Sequence, residues 1–411
     1  MDFRLPYSEE QERFRREVRA WLKENIPEEM KSPVDEKDYT AEMHRFWREK
    51  HKELGKKGWL FPTFPKEYGG GGLTGDHETI VEEEFSRARA RRGTGGGLIA
   101  SALMVWGTEE QKQKFLRPLL TGEMAAFQKL TEPHGGADLA DYQSRAVRDG
   151  DDWLLTGSNI FIGGEHLPEI MFGPMLTDPE APRHRNLGYF AIPVPSPGLT
   201  FQTQNLICSN PGGKKQSIFL DNVRVPGDHL IGGDHQGWQV LSTHLEFEHG
   251  GGGRAFPRDE VVDNLMDYVK ETKRDGKSLG SDPMVQQAAM QARIESHVNG
   301  LLGQRTYWMY QNRANIQSEG NVSNVHDRLS DLRNAIRVRE VMGMYALLGT
   351  REPRAPHNGA QEVRQRDAAG QRHAAGTTNI AKVILARRIG ISRTQERAAP
   401  TPSTATTYGS S

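Results

Sequence analysis

The chain has 411 residues, enough for two or three domains and a large buried core. Its 53 Lys and Arg nearly cancel its 54 Asp and Glu, so no overall field recruits nucleic acid or an anionic membrane. One cysteine, Cys208, excludes an intramolecular disulfide and a cysteine-based zinc site, and it reads as structural in a reducing cytoplasm. The N-terminus, MDFRLPYSEEQ, lacks the basic and apolar regions of a signal peptide. The longest apolar stretch, Leu98 to Trp106, is far short of a membrane span, so a soluble cytoplasmic protein is expected.

Ser8 and Gln11 form a capping-box pattern, and Phe14, Val18, Trp21 and Leu22 follow at helical spacing until Pro27. Further helix is predicted over Thr40 to Leu54 and Asp76 to Arg92, broken by Gly69 to Gly72, so residues 1–125 read as a helical domain with Trp and Phe in its core. Between 126 and 235 the runs WLLTG, GYFAIPV, LTFQTQNL and SIFLDNVRV, separated by Gly, Pro, Asn and Asp, predict an antiparallel β-domain. Helical periodicity returns over Asp259 to Lys273, Asp282 to Asn312 and Val325 to Leu348, giving a C-terminal bundle at 236–392. Val285, Ala288, Ala289, Ala292, Val298, Leu301 and Leu302 trace its apolar stripe. Arg351 to Gly370 reads as a loop, Thr377 to Arg388 as the last helix, and 393–411 as a disordered tail. The fold class is thus α+β: N-terminal helices, a central antiparallel β-domain and a C-terminal four-helix bundle.

The most informative segment is Lys129 to Asp141, KLTEPHGGADLAD, in which a Thr, a Glu-Pro turn and a Gly-Gly-Ala-Asp loop stand between two strand-like runs. Glycines let backbone approach a phosphate closely, and the Thr hydroxyl and exposed N–H groups suit a planar heterocycle. Taken alone, it also reads as a solvated turn. With WGTEEQKQKFLRPLLTGE from Trp106, SIFLDNVRVP from Ser217, LIGG from Leu230 and GTTNIAKVILARRIG from Gly376, it resembles the acyl-CoA dehydrogenase family over about residues 1 to 390. That resemblance implies FAD, an acyl-CoA substrate, and an electron-transfer flavoprotein as acceptor. It also implies a homotetramer or a hetero-oligomer with a paralogue.

By the same resemblance Leu130 and Thr131 lie along the flavin ring and Gly136 near its pyrophosphate, while Ala137 stands where the family carries Ser or Thr. Loss of that donor removes a hydrogen bond of ~1.5–3 kcal/mol, which weakens binding without abolishing it. Phe161-Ile162-Gly163 stands for the family's Trp-Ile-Thr, retaining a ring but losing a hydroxyl at Gly163; without the family, FIGG is a strand ending in a glycine turn. Thr377 in the last motif is also assigned to the cofactor. The family's Arg before Phe-Gly is replaced by Thr272, with Lys273 or Arg274 as substitutes or as an exposed charge pair at a helix end.

The usual family base position holds Ala375. A subset of the family places the base on a bundle helix, and THLEFEHGGGGR supplies Glu248 there by resemblance. Glu246 and Glu248 are about 200° apart around a helix, so at most one faces the flavin; Glu248 is assigned as base and Glu246 to solvent, though EFEH also reads as ordinary surface. Gly250 to Gly253 loosen the helix or make room for a bulky acyl group, and Arg254 reads as a CoA-phosphate ligand or a surface charge. Two alternatives remain: a non-catalytic partner subunit, suggested by Ala137, Gly163, Thr272 and Ala375 departing together, and a flavin-dependent oxygenase.

Overall fold

The computed structural model describes residues 6–93, 95–208, 213–248, 259–312, 314, 318–370 and 376–392, with the side chains of 246–248 and 310 outside that description. Gly250 to Gly253, Arg254, Ala375 and the tail expected at 393–411 therefore lie outside the described residues.

The N-terminal helices start where caps satisfy their first N–H groups. The capping box of Ser8 and Gln11 opens α1 (Glu9–Asn25), and Thr40 accepts from Met43 N–H to open α2 (Ala41–Lys57). Helix α3 (Gly75–Arg87) ends five residues before the predicted Arg92, because Arg89 has φ +51 and the chain turns there. Helix α4 (Gly97–Trp106) follows, then α5 (Glu109–Gln111), which continues through a π-helical turn at Lys112–Leu116 into α6 (Arg117–Leu120). Trp47, Trp59 and Phe85 are buried with Val18, Leu22 and Leu54 in one cluster, as the spacing predicted.

The central sheet holds β1 (Ala126–Gln128), β2 (Arg145–Asp149), β3 (Asp152–Ile162), β4 (Ile170–Leu176), β5 (Leu187–Pro193), β6 (Leu199–Asn205), β7 (Lys214–Val225) and β8 (Leu230–Ile231). Its path runs β6-β7-β3-β2-β4-β5-β8, with β1 beside β4. It is not wholly antiparallel: β1 and β2 each pair with β4 in parallel. Every residue of β4 is buried because both of its faces are covered. Ile170 and Phe172 pack with Leu103, Phe115 and Leu241 of the helices, and Met171 and Met175 pack with Ile162, Ile192 and Ile218 of the sheet.

Helix α7 (Gly237–Glu248) leaves the sheet, and after 249–258 come α8 (Glu260–Glu271), the hairpin β9 (Lys273–Arg274) and β10 (Lys277–Ser278), α9 (Pro283–Gln311), α10 (Glu319–Met342), α11 (Ala360–Gly370) and α12 (Thr378–Arg388). Glu295 pairs with Arg333 and Arg337, and Arg305 with Glu319, so α9 and α10 run antiparallel. Val285, Ala289 and Ala292 are buried at the α8–α10 side, whereas Leu301 is 41% exposed and leaves the predicted stripe. The predicted loop at 351–370 is half helix: between Gly359 and Gly370 there is no Pro or Gly, and that run is made of helix formers tied by Glu362 to Arg366. Arg366 also reaches Asp35 at 2.6 Å and the Ile207 carbonyl at 2.8 Å, joining bundle, N-terminal helices and sheet.

Candidate functional site

Strand β1 continues past Gln128 by one bond, Lys129 N–H to the Phe172 carbonyl at 2.7 Å, which delivers Leu130 and Thr131 at the end of the sheet. Two buried groups fix this backbone. The Tyr142 hydroxyl donates to the carbonyls of Lys129, at 2.9 Å, and Leu130. The Glu132 carboxylate, 3% exposed, accepts from Gln143 N–H at 2.7 Å, Ser144 N–H at 2.8 Å and the Ser144 hydroxyl. Glu132 and Gly135 exchange backbone hydrogen bonds, and His134 bonds the Asp141 carbonyl, so the Gly-rich excursion is closed at its neck. Gly136 is required by packing: a Cβ there would stand 2.8 Å from Thr131 Cγ2.

The end of β3 meets this loop directly. Ile160 N–H donates to the Thr131 carbonyl at 2.9 Å, and the buried Asn159 side chain donates to the same oxygen at 3.1 Å. The next residue, Phe161, has φ +59 and is 52% exposed, an aromatic ring turned outward in a conformation that most residues avoid. Thus Leu130, Thr131, Gly136, Phe161, Ile162 and Gly163 are brought together. Within the group, Leu130 and Ile162 place their side chains in the two cores.

Gly163 has φ +51, and a Cβ on it would lie 2.0 Å from Phe127 Cε2. The Phe127 ring thus stands where a side chain at 163 would begin, which explains the absence of the hydroxyl at this position. Sequence reasoning passed over Phe127. Beyond the glycines, His166 stacks on His44 of α2 at 3.9 Å, with Tyr39 edge-on to both. Burial, then the neighbouring His166 and Arg48, draws the His44 imidazole down to about 4.

Lys129 was marked by sequence only as the first residue of the segment to Asp141. It is fully buried, donates to the Pro174 carbonyl at 3.1 Å and lies 5.0 Å from the Tyr142 ring centre. Desolvation draws its ammonium down to about 7, opposed by Glu132.

Helix α7 packs against this end of the sheet. Trp106 Nε1 donates to Thr243 Oγ1 at 2.9 Å, tying α4 to α7, and the buried His244 contacts Tyr189 and Gln128. Glu248 is the last residue of α7, and its side chain and that of Glu246 lie outside the described residues. The Thr377 hydroxyl accepts from Ile380 N–H as the N-cap of α12. Thr272 caps α8, Lys273 is exposed, and Arg274 donates to the Val341 carbonyl in the last turn of α10, a different helix from the one whose end the pair was expected to serve.

Thr131 with its hydroxyl, the outward Phe161 ring and the open space at Gly135 and Gly164, where a Cβ would meet nothing within 4 Å, fit a flat heterocycle laid against the sheet end. They depart from the usual flavin set at Gly163. Among the described residues no group of His, Cys, Asp and Glu can hold a metal ion, and no helix is long and apolar enough to cross a membrane.

Residues 8–123 match the acyl-CoA dehydrogenase N-terminal domain and residues 235–390 the acyl-CoA dehydrogenase C-terminal domain. The chain belongs to the acyl-CoA dehydrogenase family and is an enzyme of that class. Acyl-CoA dehydrogenase IpdE1 of Mycobacterium tuberculosis is 27% identical over 307 residues, covering 72% of this chain and 76% of the relative. IpdE1 of Mycolicibacterium smegmatis is 26% identical over 364 residues, covering 82% and 88%. Among solved structures, the Tcur3481-Tcur3483 steroid ACAD superposes with a TM-score of 0.81 at 25% identity, covering 96% of this chain and 100% of that one. The ChsE4-ChsE5 complex from Mycobacterium tuberculosis gives 0.82 at 23% identity, over 95% and 100%, and shows the shared fold.

Proposed function

We propose that the chain is an FAD-dependent dehydrogenase that desaturates an acyl-CoA thioester between its α and β carbons, with Glu248 as the base. The observation that carries the reading is the bond from Ile160 N–H to the Thr131 carbonyl, which joins the two flavin segments into one surface at the sheet end. Position 248 follows the buried His244 by one helical turn, about 40° round the axis, while position 246 is about 200° from His244. This spacing supports Glu248 over Glu246.

Bound FAD supplies the hydride acceptor. The Thr131 hydroxyl and Phe161 ring hold the ring system, the backbone of Leu130, Ile162 and Gly163 lines it, and Gly136 permits close approach of the phosphates. Thr377, at the head of α12, offers first-turn N–H groups to the pyrophosphate. Glu248 takes the α-proton of the thioester, and the apolar cluster of Leu103, Phe172, Val240 and Leu241 keeps water from that side. Electrons leave to an electron-transfer flavoprotein in the cytoplasm. Likeness to a steroid ACAD supports a bulky, ring-bearing acyl group.

A second reading, a partner subunit completed by a paralogue, is favoured by the joint loss of donors at Ala137, Gly163, Thr272 and Ala375, and by likeness to two-chain enzymes. The test is anaerobic titration of the purified chain, alone and co-expressed with a paralogue, with straight, branched and steroid-ring acyl-CoAs. Flavin that bleaches in wild type but not in Glu248→Gln supports the dehydrogenase; equal bleaching in both removes Glu248 from the mechanism. Flavin and activity gained only on co-expression support the second reading.

A further inference from the structure

Three polar side chains meet inside the apolar layer between sheet and helices. His244 of α7 is fully buried and Tyr189 of β5 is 1% exposed, while Gln128 of β1 is half-buried. His244 Nδ1 lies 2.8 Å from the Tyr189 hydroxyl, and Nε2 lies 2.7 Å from Gln128 Oε1. A neutral imidazole satisfies both bonds in one arrangement: the Tyr189 O–H donates to Nδ1, and Nε2–H donates to Gln128 Oε1.

Buried polar groups among Phe172, Ile231 and Leu241 are costly unless paired, and once paired they fix a register that apolar contacts leave free to slide. Here the register is that of α7 on β4 and β5, and the Gln128 bond carries it to β1. Gln128 precedes Leu130 by two residues and Thr131 by three, and His244 precedes position 248 by one turn. The bond from His244 to Gln128 therefore joins the helix carrying the base to the strand carrying the flavin loop.

We infer that His244 is a positioning residue, which through Gln128 and Tyr189 sets the distance between position 248 and the Leu130–Thr131 wall. The catalytic consequence rests on Glu248 being the base. Displacement of a reacting group by about 1 Å costs on the order of 100-fold in rate.

The test uses His244→Leu, which keeps bulk and removes both bonds, His244→Gln, which keeps a donor and an acceptor, and Tyr189→Phe. Hydrogen exchange of the flavin-free chain is expected to speed up in 240–248 and 126–131 together in His244→Leu and to return towards wild type in His244→Gln. Acyl-CoA-driven flavin bleaching is expected to slow by about 10- to 100-fold in kcat for His244→Leu, with KM within about threefold, and to recover in His244→Gln. Tyr189→Phe, which removes one hydroxyl and keeps the ring, is expected to shift both readouts the same way by a smaller factor. Wild-type kcat in His244→Leu and Tyr189→Phe, or a fall in kcat no better in His244→Gln than in His244→Leu, overturns the inference. Bleaching that persists in Glu248→Gln removes the base reading, and exchange still decides whether His244 sets the register.

Discussion

Phe127 and Gly163 form a matched pair, and Gly163→Ala exposes it. At φ +51 a residue with a Cβ pays ~1–2 kcal/mol relative to glycine. The new Cβ would also stand 2.0 Å from Phe127 Cε2 and 2.1 Å from Cδ2, an overlap of the kind that costs ~1–3 kcal/mol to relieve. Together these give a loss of ~2–5 kcal/mol for the single substitution. Phe127→Ala removes the overlap but not the backbone strain, and since the ring is half-buried its own truncation costs less than the ~3–5 kcal/mol of a core phenylalanine. A double-mutant cycle should therefore show a coupling of ~1–3 kcal/mol, with the double variant more stable than the sum of the singles. The appropriate assay is hydrogen exchange under increasing urea at 126–128 and 152–162, which reads this sheet rather than a multidomain average. Additive effects would refute the reasoning, because Phe127 would then not be what restricts position 163. In the Phe127→Ala background, Gly163→Thr should raise FAD content above Phe127→Ala alone.

Replacing Glu132 with Gln sets an amide against two backbone N–H donors and should cost ~1.5–3 kcal/mol, with flavin content falling at temperatures where the helical regions stay folded by circular dichroism. Lys129 has its folded pKa depressed to about 7 from 10.5, so the unfolded chain binds more protons between those values and stability rises with pH through that window. Lys129→Met should therefore stabilise most below about pH 7, with the gain shrinking towards pH 10 in urea titrations; a constant difference would contradict a buried amine. His44, depressed to about 4 from 6.5, makes the protein lose stability as pH falls through that range, since protonation first places a cation in a half-buried position and then sets it against His166, Arg48 and Arg91. The difference in melting temperature between wild type and His44→Phe should accordingly change between pH 6.5 and 4 and be flat above pH 7.

Much of this protein was written locally. The capping box at Ser8, the Thr40 cap, the β-run spacing and the helical stripe through Val285, Ala289 and Ala292 act over neighbouring residues, so sequence located those elements to within a few positions. The loop predicted up to Gly370 failed in its second half because the Pro and Gly signals of 351–359 were extended over a run that is helical by composition. The segments 129–136 and 161–163 were legible only by resemblance, as candidate cofactor contacts, and their meeting through Ile160 N–H and the Thr131 carbonyl was not. Tertiary structure alone decided that Leu130 and Ile162 turn into the cores, that Thr377 uses its hydroxyl as a cap, and that Phe127 fills the place of a side chain at 163. It also decided that Gln128, Tyr189 and His244, separated by up to 116 positions, meet in one buried contact. Caps and periodicities are short-range physics, whereas packing partners are chosen by which surfaces the completed sheet and helices press together, and no local pattern encodes that choice.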